Sequence, residues 1–441
     1  KNCYLVFGGH YNEQCSYSWY IFQNKDSLDT METHKSELVY EGNMGMNLYN
    51  CAFVEYVFDS NNCFFSYDLR GCSDCFLSYN LRNKKYCILN QQYSREEYLK
   101  KMKTFDTGNY ATLQDLLKQF AQIKKKALHI FSYQKNTTNC VGNDIVYSKN
   151  IQKSFRVEES KDVTYAQKAT ATFTSLDVSK MGYDHSELCY ETISSTALNN
   201  ARFGQALWHC NAVEYGNHNF SSTNCFGCVS AKKNEYCILN KQYTKDEYST
   251  LRGKIIEHMN SMAYTDAGGR VYRYGEFFPV EISPFMYNES SVHEWYPLSK
   301  EEAIAQGYRW REKDPREYER QTYAIPEHIR DVRDDILEIV LVCQECGKNY
   351  KIIKSELNFY RGRNLPIPRK CPWCRQEDRL HNRAPLQLWH RACMCDYVVH
   401  SNSIKHAHHS VGRCANEFET SYAPDRKEIV YCEQCYNAEM V

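Results

Sequence analysis

Four cysteines, Cys343, Cys346, Cys371 and Cys374, stand as C-x₂-C-x₂₄-C-x₂-C in "CQECGKNYKIIKSELNFYRGRNLPIPRKCPWC". Four thiolates at this spacing can close a tetrahedral structural zinc site with no open position. Gly347 follows the first knuckle, where a tight turn is needed. A second site is expected around Cys432 and Cys435 in "EIVYCEQCY", with Cys414 as an upstream ligand. For its fourth ligand Cys395 is favoured over Cys393, with His406, His408 and His409 as rivals. The histidine cluster itself reads as exposed and solvated. A catalytic zinc keeps three ligands and a water, and no neighbouring carboxylate argues for one here. The expected cofactor is therefore zinc, at two structural sites.

Two further sets of residues could act. Arg375, Arg379, Arg383 and Arg391 run with Trp389 between the two zinc sites. Arginines and an aromatic can grip phosphates and stack on bases, although Glu377 and Asp378 dilute the charge and a solvated linker is an equal reading. Far upstream, Asp29, Glu41, Asp177 and Glu191 share one repeated position. Carboxylates set side by side could serve as acid and base, as in some β-helix polysaccharide enzymes; a polar turn or solenoid cap is the favoured reading.

The elements that hold these residues are periodic. Cys3, Cys15, Cys51, Cys63, Cys75 and Cys87 are separated by multiples of twelve, and Ser27 and Val39 fill the gaps. The pattern returns about 150 residues later: "SELVYE" at 36–41 as "SELCYE" at 186–191, "YCILNQQYSREEY" at 86–98 as "YCILNKQYTKDEY" at 236–248. There the repeated position holds Ile151, Val163, Ser175, Cys189, Ala201, Val213, Cys225 and Cys237. A fixed short period predicts stacked repeats, with alternate residues on opposite faces of each strand and the cysteines as compact inward filling. A coil of one or of two units fits the period. Cys72-x-x-Cys75 and Cys225-x-x-Cys228 resemble zinc knuckles, yet their duplicates at Ser222 and Ser78 lack the thiol. Filling is preferred there over metal, redox chemistry or disulfides.

Helices should close each block. "SREE" at 94–97 and "TKDE" at 244–247 have the capping-box pattern, and Leu113, Leu116, Leu117, Phe120 and Ile123 recur at helical spacing. Lys124, Lys125 and Lys126 read as dipole compensation at a helix end rather than a docking site for an acidic partner. The expected organisation is a first β-solenoid block at 1–92, a helical cap and linker at 93–136, a second block at 137–242 and a capping helix at 243–262. An aromatic, Pro-rich connector at 263–335 and a two-site zinc-ribbon module at 336–441 complete it. With 54 acidic and 54 basic residues, no global field points to nucleic acid or membrane. No apolar run reaches 18 residues, so no membrane span is expected.

The solenoid units, together with "RNKKYCILNQQYSREEY", "NEYCILNKQYTKDEY", "YGEFFPVEISPFMYNES", "YPLSKEEAIAQGYRW" and "FETSYAPDRKEIVYCEQCY", resemble a family of uncharacterised bacterial zinc-ribbon proteins. Some of its members carry a CaiB/BaiF transferase label, which no feature of these residues supports. The resemblance spans nearly the whole chain. It implies one cluster at Cys343, Cys346, Cys371 and Cys374 and another including Cys414, Cys432 and Cys435, and it brings no activity. Family members look longer at the N-terminus, beginning with a further zinc ribbon, and Lys1-Asn2-Cys3 falling in register agrees with a truncated start.

The expected protein is thus mainly β with helical caps: two duplicated β-solenoid, β-helix-like blocks of 12-residue units and a C-terminal zinc-ribbon module. It reads as a cytoplasmic, non-enzymatic scaffold whose Tyr-rich face or zinc module binds a macromolecule, with nucleic acid or a ribonucleoprotein ahead of protein. The alternatives are a polysaccharide enzyme using the column carboxylates, and a structural or surface component whose solenoids pack side by side.

Overall fold

The computed structural model describes residues 1–182, 184–312, 316–399 and 402–440. Parts of the expected connector (313–315) and zinc-ribbon module (400–401 and 441) lie outside the described residues. The chain is mainly β, with helices, and its long sheets are built from parallel pairs. In the first block each unit pairs with the unit twelve residues on: Tyr4 with Ser16, Met31 with Asn43, Cys63 with Cys75, Cys75 with Cys87. Twelve residues therefore advance the chain by one rung, not two.

Within a rung the period is three rather than the two expected from alternation. Gly42, Gly45, Leu48, Cys51, Val54, Val57 and Ser60 turn inward, and the larger of them are buried. Two residues after each inward position the backbone takes a positive φ, as at Asn50, Phe53, Tyr56 and Asp59. A left-handed residue redirects the chain, so no side of the rung holds a long extended run. Twelve residues thus make four short sides. Such a conformation costs a non-glycine residue roughly 1–2 kcal/mol; inter-rung hydrogen bonds must offset it.

Inward side chains supply some of those bonds. The Ser27 hydroxyl donates to the Lys25 carbonyl at 2.8 Å and accepts from the Val39 N–H one rung on at 3.1 Å. The Cys63 thiol donates in the same way to the Asn61 carbonyl at 3.3 Å. Small polar residues and cysteine are interchangeable here because each fits the bore and reaches the same carbonyl. All described cysteines are free, and burial pushes Cys15 up to about 12 and Cys189 up to about 11. These two thiols are protonated near neutral pH. Cys63→Ser should accordingly shift stability by less than about 1 kcal/mol, whereas Cys63→Leu should overpack the bore and cost about 1–3 kcal/mol. Urea unfolding of both variants checks this; equal losses would contradict a column of compact filling.

The second block repeats the scheme, beginning earlier than the expected residue 137, where Gln134 pairs with Ile145. Ile151 pairs with Val163, and Cys225 with Cys237. Two features disturb the count. Cys140 pairs with Ile151 only eleven residues on, next to a register shift at Gly142. Thr172 pairs with Ser186, and Leu176 with Tyr190, at an offset of fourteen. Two extra residues between these rungs explain why the early units of the two blocks match at a separation of 148 and the later ones at 150.

Helix α1 (Arg95–Met102) and α3 (Lys245–Ser261) follow the last rungs of the two blocks. Each starts at a complete capping box, Ser94 with Glu97 and Thr244 with Glu247. Tyr98 and Tyr248 tuck their rings beside the terminal rungs, at Tyr86 and Tyr236. Helix α2 (Tyr110–Lys126) buries Leu113, Leu116, Phe120 and Ile123. Lys124 is not free for a partner, because its ammonium meets Glu55 at 2.7 Å. The two blocks touch through Phe58 stacked on Tyr133 and an ion pair between Glu32 and Arg156. After short helices α4 (Ser291–Trp295) and α5 (Lys300–Ala305), the C-terminal module supplies α6 (Lys354–Gly362), α7 (Pro372–His381) and α8 (Glu433–Glu439). Its strand Ile429–Tyr431 pairs in parallel with Leu128–Ile130, tying the module to the linker between blocks. No described helix is long and apolar enough to cross a membrane.

Candidate metal centre and carboxylate column

A two-stranded hairpin, Leu341–Val342 with Asn349–Tyr350, brings Cys343 and Cys346 to one end of α7. Gly347 turns the first knuckle at φ +72°, and its N–H donates to the Cys343 carbonyl at 3.0 Å. Cys371 is the N-cap of α7, followed by Pro372, so the second knuckle sits where the helix dipole favours thiolate. The four sulfurs of Cys343, Cys346, Cys371 and Cys374 lie within 4.8 Å of one another. Cys346 and Cys371 are 3.8 Å apart, close to the roughly 3.8 Å that two sulfurs about 2.3 Å from a tetrahedral ion would show.

The second all-cysteine group is Cys393, Cys414, Cys432 and Cys435, each buried. The fourth thiol is Cys393, not the expected Cys395. Strand Trp389–Ala392, paired to Glu417–Thr420, delivers Cys393 beside the last knuckle, and its sulfur accepts from the Cys432 N–H at 3.2 Å. Cys395 lies two residues on, with His406 and His409. None of the column cysteines of the repeat joins a metal-capable group among the described residues.

The two other candidate sets meet each other. Helix α7 lies on the first block and points Arg375 and Arg379 at the carboxylate column. Arg375 Nε is 3.1 Å from Asp29, and its Nη2 is 3.1 Å from Glu356 of α6. Arg379 reaches Asp29 at 3.2 Å and Glu41 at 3.0 Å. Tyr17 and Tyr360 donate to Glu356 at 3.2 and 2.7 Å. Both guanidiniums are buried, so they cannot serve as phosphate contacts. Arg383 is also buried, over the Trp295 ring and donating to the Glu294 carbonyl. Arg391 reaches the Ala423 carbonyl at 3.2 Å, and Trp389 lies half-buried in its strand. In place of a nucleic-acid surface, the arginine run forms an internal seam. Asp29, in the first half of the suggested catalytic set, is sealed beneath it, and Glu41 is half-buried at its edge; burial holds Glu41 above the usual carboxylate range despite Arg379.

The second block carries the same surface without that cover. Tyr165, Asp177, Glu191 and Phe203 match Tyr17, Asp29, Glu41 and Phe53, all eight at positive φ. Leu176 and Tyr190 match Leu28 and Tyr40 on the adjoining side. In the first block Tyr40 packs on Tyr360 and Phe359 of α6. Leu28 is 3 % exposed against 39 % for Leu176, and Tyr17 2 % against 50 % for Tyr165. A cavity of about 540 Å³ opens over this side of the second block, lined by Leu176, Leu188, Tyr190, Arg202, Phe203 and Tyr274 among others. Burial pushes Glu191 up to about 7, with the charges of Asp177 and Glu276 adding to the shift. Comparison with family models finds no match to this chain, and comparison with curated proteins finds none either.

Proposed function

We propose that this protein is a non-enzymatic scaffold: two β-solenoid blocks, fixed to one another and to a zinc-ribbon module, that present the open face of the second block to a protein partner. The observation that carries this reading is the matched surface of the two blocks. The first copy receives two arginines one helical turn apart and the aromatic pair Phe359 and Tyr360. The second copy keeps the tyrosine, the leucine and both acids, with Tyr165 and Leu176 exposed and Asp177 and Glu191 half-buried; its phenylalanine, Phe203, is buried under Tyr274. A partner helix with arginines at i and i+4 and a neighbouring aromatic has the complementary chemistry. Arg202, where the first block has Ala52, turns toward Asn200 and Glu214. Zinc is the metal that four-thiolate sites of this shape suit best.

The test uses a helix-stapled peptide with the sequence of residues 372–382, Cys374 replaced by serine, followed by fluorescence anisotropy. Binding should weaken at least about tenfold when Asp177→Asn and Glu191→Gln are combined, as expected for losing a partly desolvated charge pair. It should also weaken as pH falls from 8 to 6, because Glu191 must be ionised to hold a guanidinium and takes up a proton near 7. Affinity unmoved by the double variant would refute the docking face. Salt-insensitive or absent binding of RNA and DNA in a filter assay is expected alongside, since the arginine run is internal.

A second reading has one observation behind it. Asp177 and Glu191 directly follow Leu176 and Tyr190, which line an aromatic cavity, and Glu191 is raised into the range of a general acid. Glycan cleavage by the pure protein, abolished by Glu191→Gln, would favour an enzyme over a scaffold.

A further inference from the structure

The C-terminal module gathers more ligands than one ion can use. Besides the four-cysteine group, Cys395, His406, His409 and Cys435 bring one ligand atom each within 4.8 Å of one another. Cys435 belongs to both groups. Cys393 and Cys395 are both fully buried, and two residues apart in extended chain span about 6.6 Å on one side. Their sulfurs fall in different groups, Cys393 with Cys414, Cys432 and Cys435, and Cys395 with His406, His409 and Cys435, an arrangement that suits two ions side by side.

We propose that this module binds a pair of metal ions, one held by Cys393, Cys414, Cys432 and Cys435 and the other by Cys395, His406, His409 and Cys435, with the Cys435 sulfur bridging them. Ligand spacing supports the second ion independently of the first. His409 Nε2 lies 3.3 Å from Cys395 Sγ and 3.4 Å from Cys435 Sγ, and His406 Nδ1 lies 3.5 Å from Cys395 Sγ. A nitrogen about 2.0 Å and a sulfur about 2.3 Å from a tetrahedral ion are separated by about 3.5 Å. His406 is also oriented as metal-bound histidines are: its Nε2 faces the Glu439 carboxylate at 2.8 Å, which leaves Nδ1 for the thiol side. Glu439 is fixed in turn by the Ser403 N–H and hydroxyl, at 2.8 and 2.6 Å. Asn402 donates to Cys395 Sγ at 3.2 Å, helping to carry thiolate charge. His408 Nε2 lies 3.2 Å from Cys435 Sγ and 3.7 Å from Cys414 Sγ and forms an overlapping group with His409 and these two thiols, but Cys414 already belongs to the four-thiolate group and the His408 side chain is exposed. It is left as a neighbour of the cluster, not a ligand. The soft–borderline donor set of five thiolates and two imidazoles selects zinc among common cellular metals.

The full chain, expressed with zinc and freed of loosely bound metal, should contain three zinc ions by inductively coupled plasma mass spectrometry. Cys395→Ser and His406→Ala should each lower the count to two, and His408→Ala should leave three. Cys343→Ser should also remove one ion, so the count at the distant site calibrates the measurement whatever the fate of the pair. Two ions in the parent protein, or a loss caused by His408→Ala and not by His406→Ala, would overturn the assignment. The bridge has its own readout. In the cobalt-substituted protein a thiolate-bridged pair couples its spins, so the integrated electron paramagnetic resonance signal should fall well below that of three isolated ions. His406→Ala should restore the signal of two isolated ions. A full three-ion signal would overturn the shared sulfur even if the zinc count were three.

Discussion

Asp29→Ala should cost the protein about 3–5 kcal/mol of stability, while Asp177→Ala, the same change at the matching position, should alter it by less than about 0.5 kcal/mol. Asp29 is fully buried and touches both Arg375 and Arg379. Removing it leaves two buried guanidiniums sharing Glu41 and Glu356, and breaking a buried ion network by deleting one partner carries a penalty of that size. Among the described residues no ion pair is formed by Asp177; its charge raises the pKa of Glu191, and its removal relieves that repulsion. Urea unfolding of the two variants side by side measures the difference. Losses of similar size would mean that the arginine seam does not hold α7 on the first block.

Metal removal should have the larger structural effect. Binding of a structural zinc contributes about 10–16 kcal/mol to folding in small zinc modules, more than the hairpin and the two short helices of the first cluster can supply themselves. A Cys343→Ser, Cys371→Ser double variant, or the parent treated with a strong chelator, should therefore lose the order of α6 and α7. Amide hydrogen exchange over residues 354–381 should rise by several orders of magnitude, with the second block unchanged. Trp19 offers an optical readout, because it is buried against Trp373 of α7 and would gain exposure to water on release. Unaltered exchange in that segment would show that these thiols do not clamp a folding unit.

These two expectations rest on contacts of different visibility in the sequence. The first cysteine cluster was legible as spacing, because a tetrahedral ion imposes paired knuckles on the chain. The twelve-residue column was legible because cysteine, valine and isoleucine mark one side of each rung. The three-residue period was not: its other inward positions carry Ser18, Thr30 and Asn24, polar residues held inside by hydrogen bonds to backbone and to one another, and Gly45, where a side chain would meet Leu48 and the Val57 carbonyl. The contact of Arg375 with Asp29 joins residues 346 apart, and no local pattern reports such a pairing. A signal was present in hindsight. Acids at 29 and 41 interrupt an otherwise mostly apolar column, and arginines at 375 and 379 share one helical face, so each set needed a counter-charge. The choice of Cys393 over Cys395 depended on which of two buried neighbours faced which centre, a question of direction that spacing does not answer.

The fixed parallel offset has a consequence for how the chain can change in size. Adding or losing a whole rung preserves the phase of every inward residue above it, whereas a single-residue insertion within a side turns buried groups outward. The second block tolerates two extra residues where its register moves from twelve to fourteen, with the regular count restored at the next rung. Length variation in such a molecule is therefore quantised, with small irregularities absorbed as local loops and larger ones confined to complete circuits of the bore.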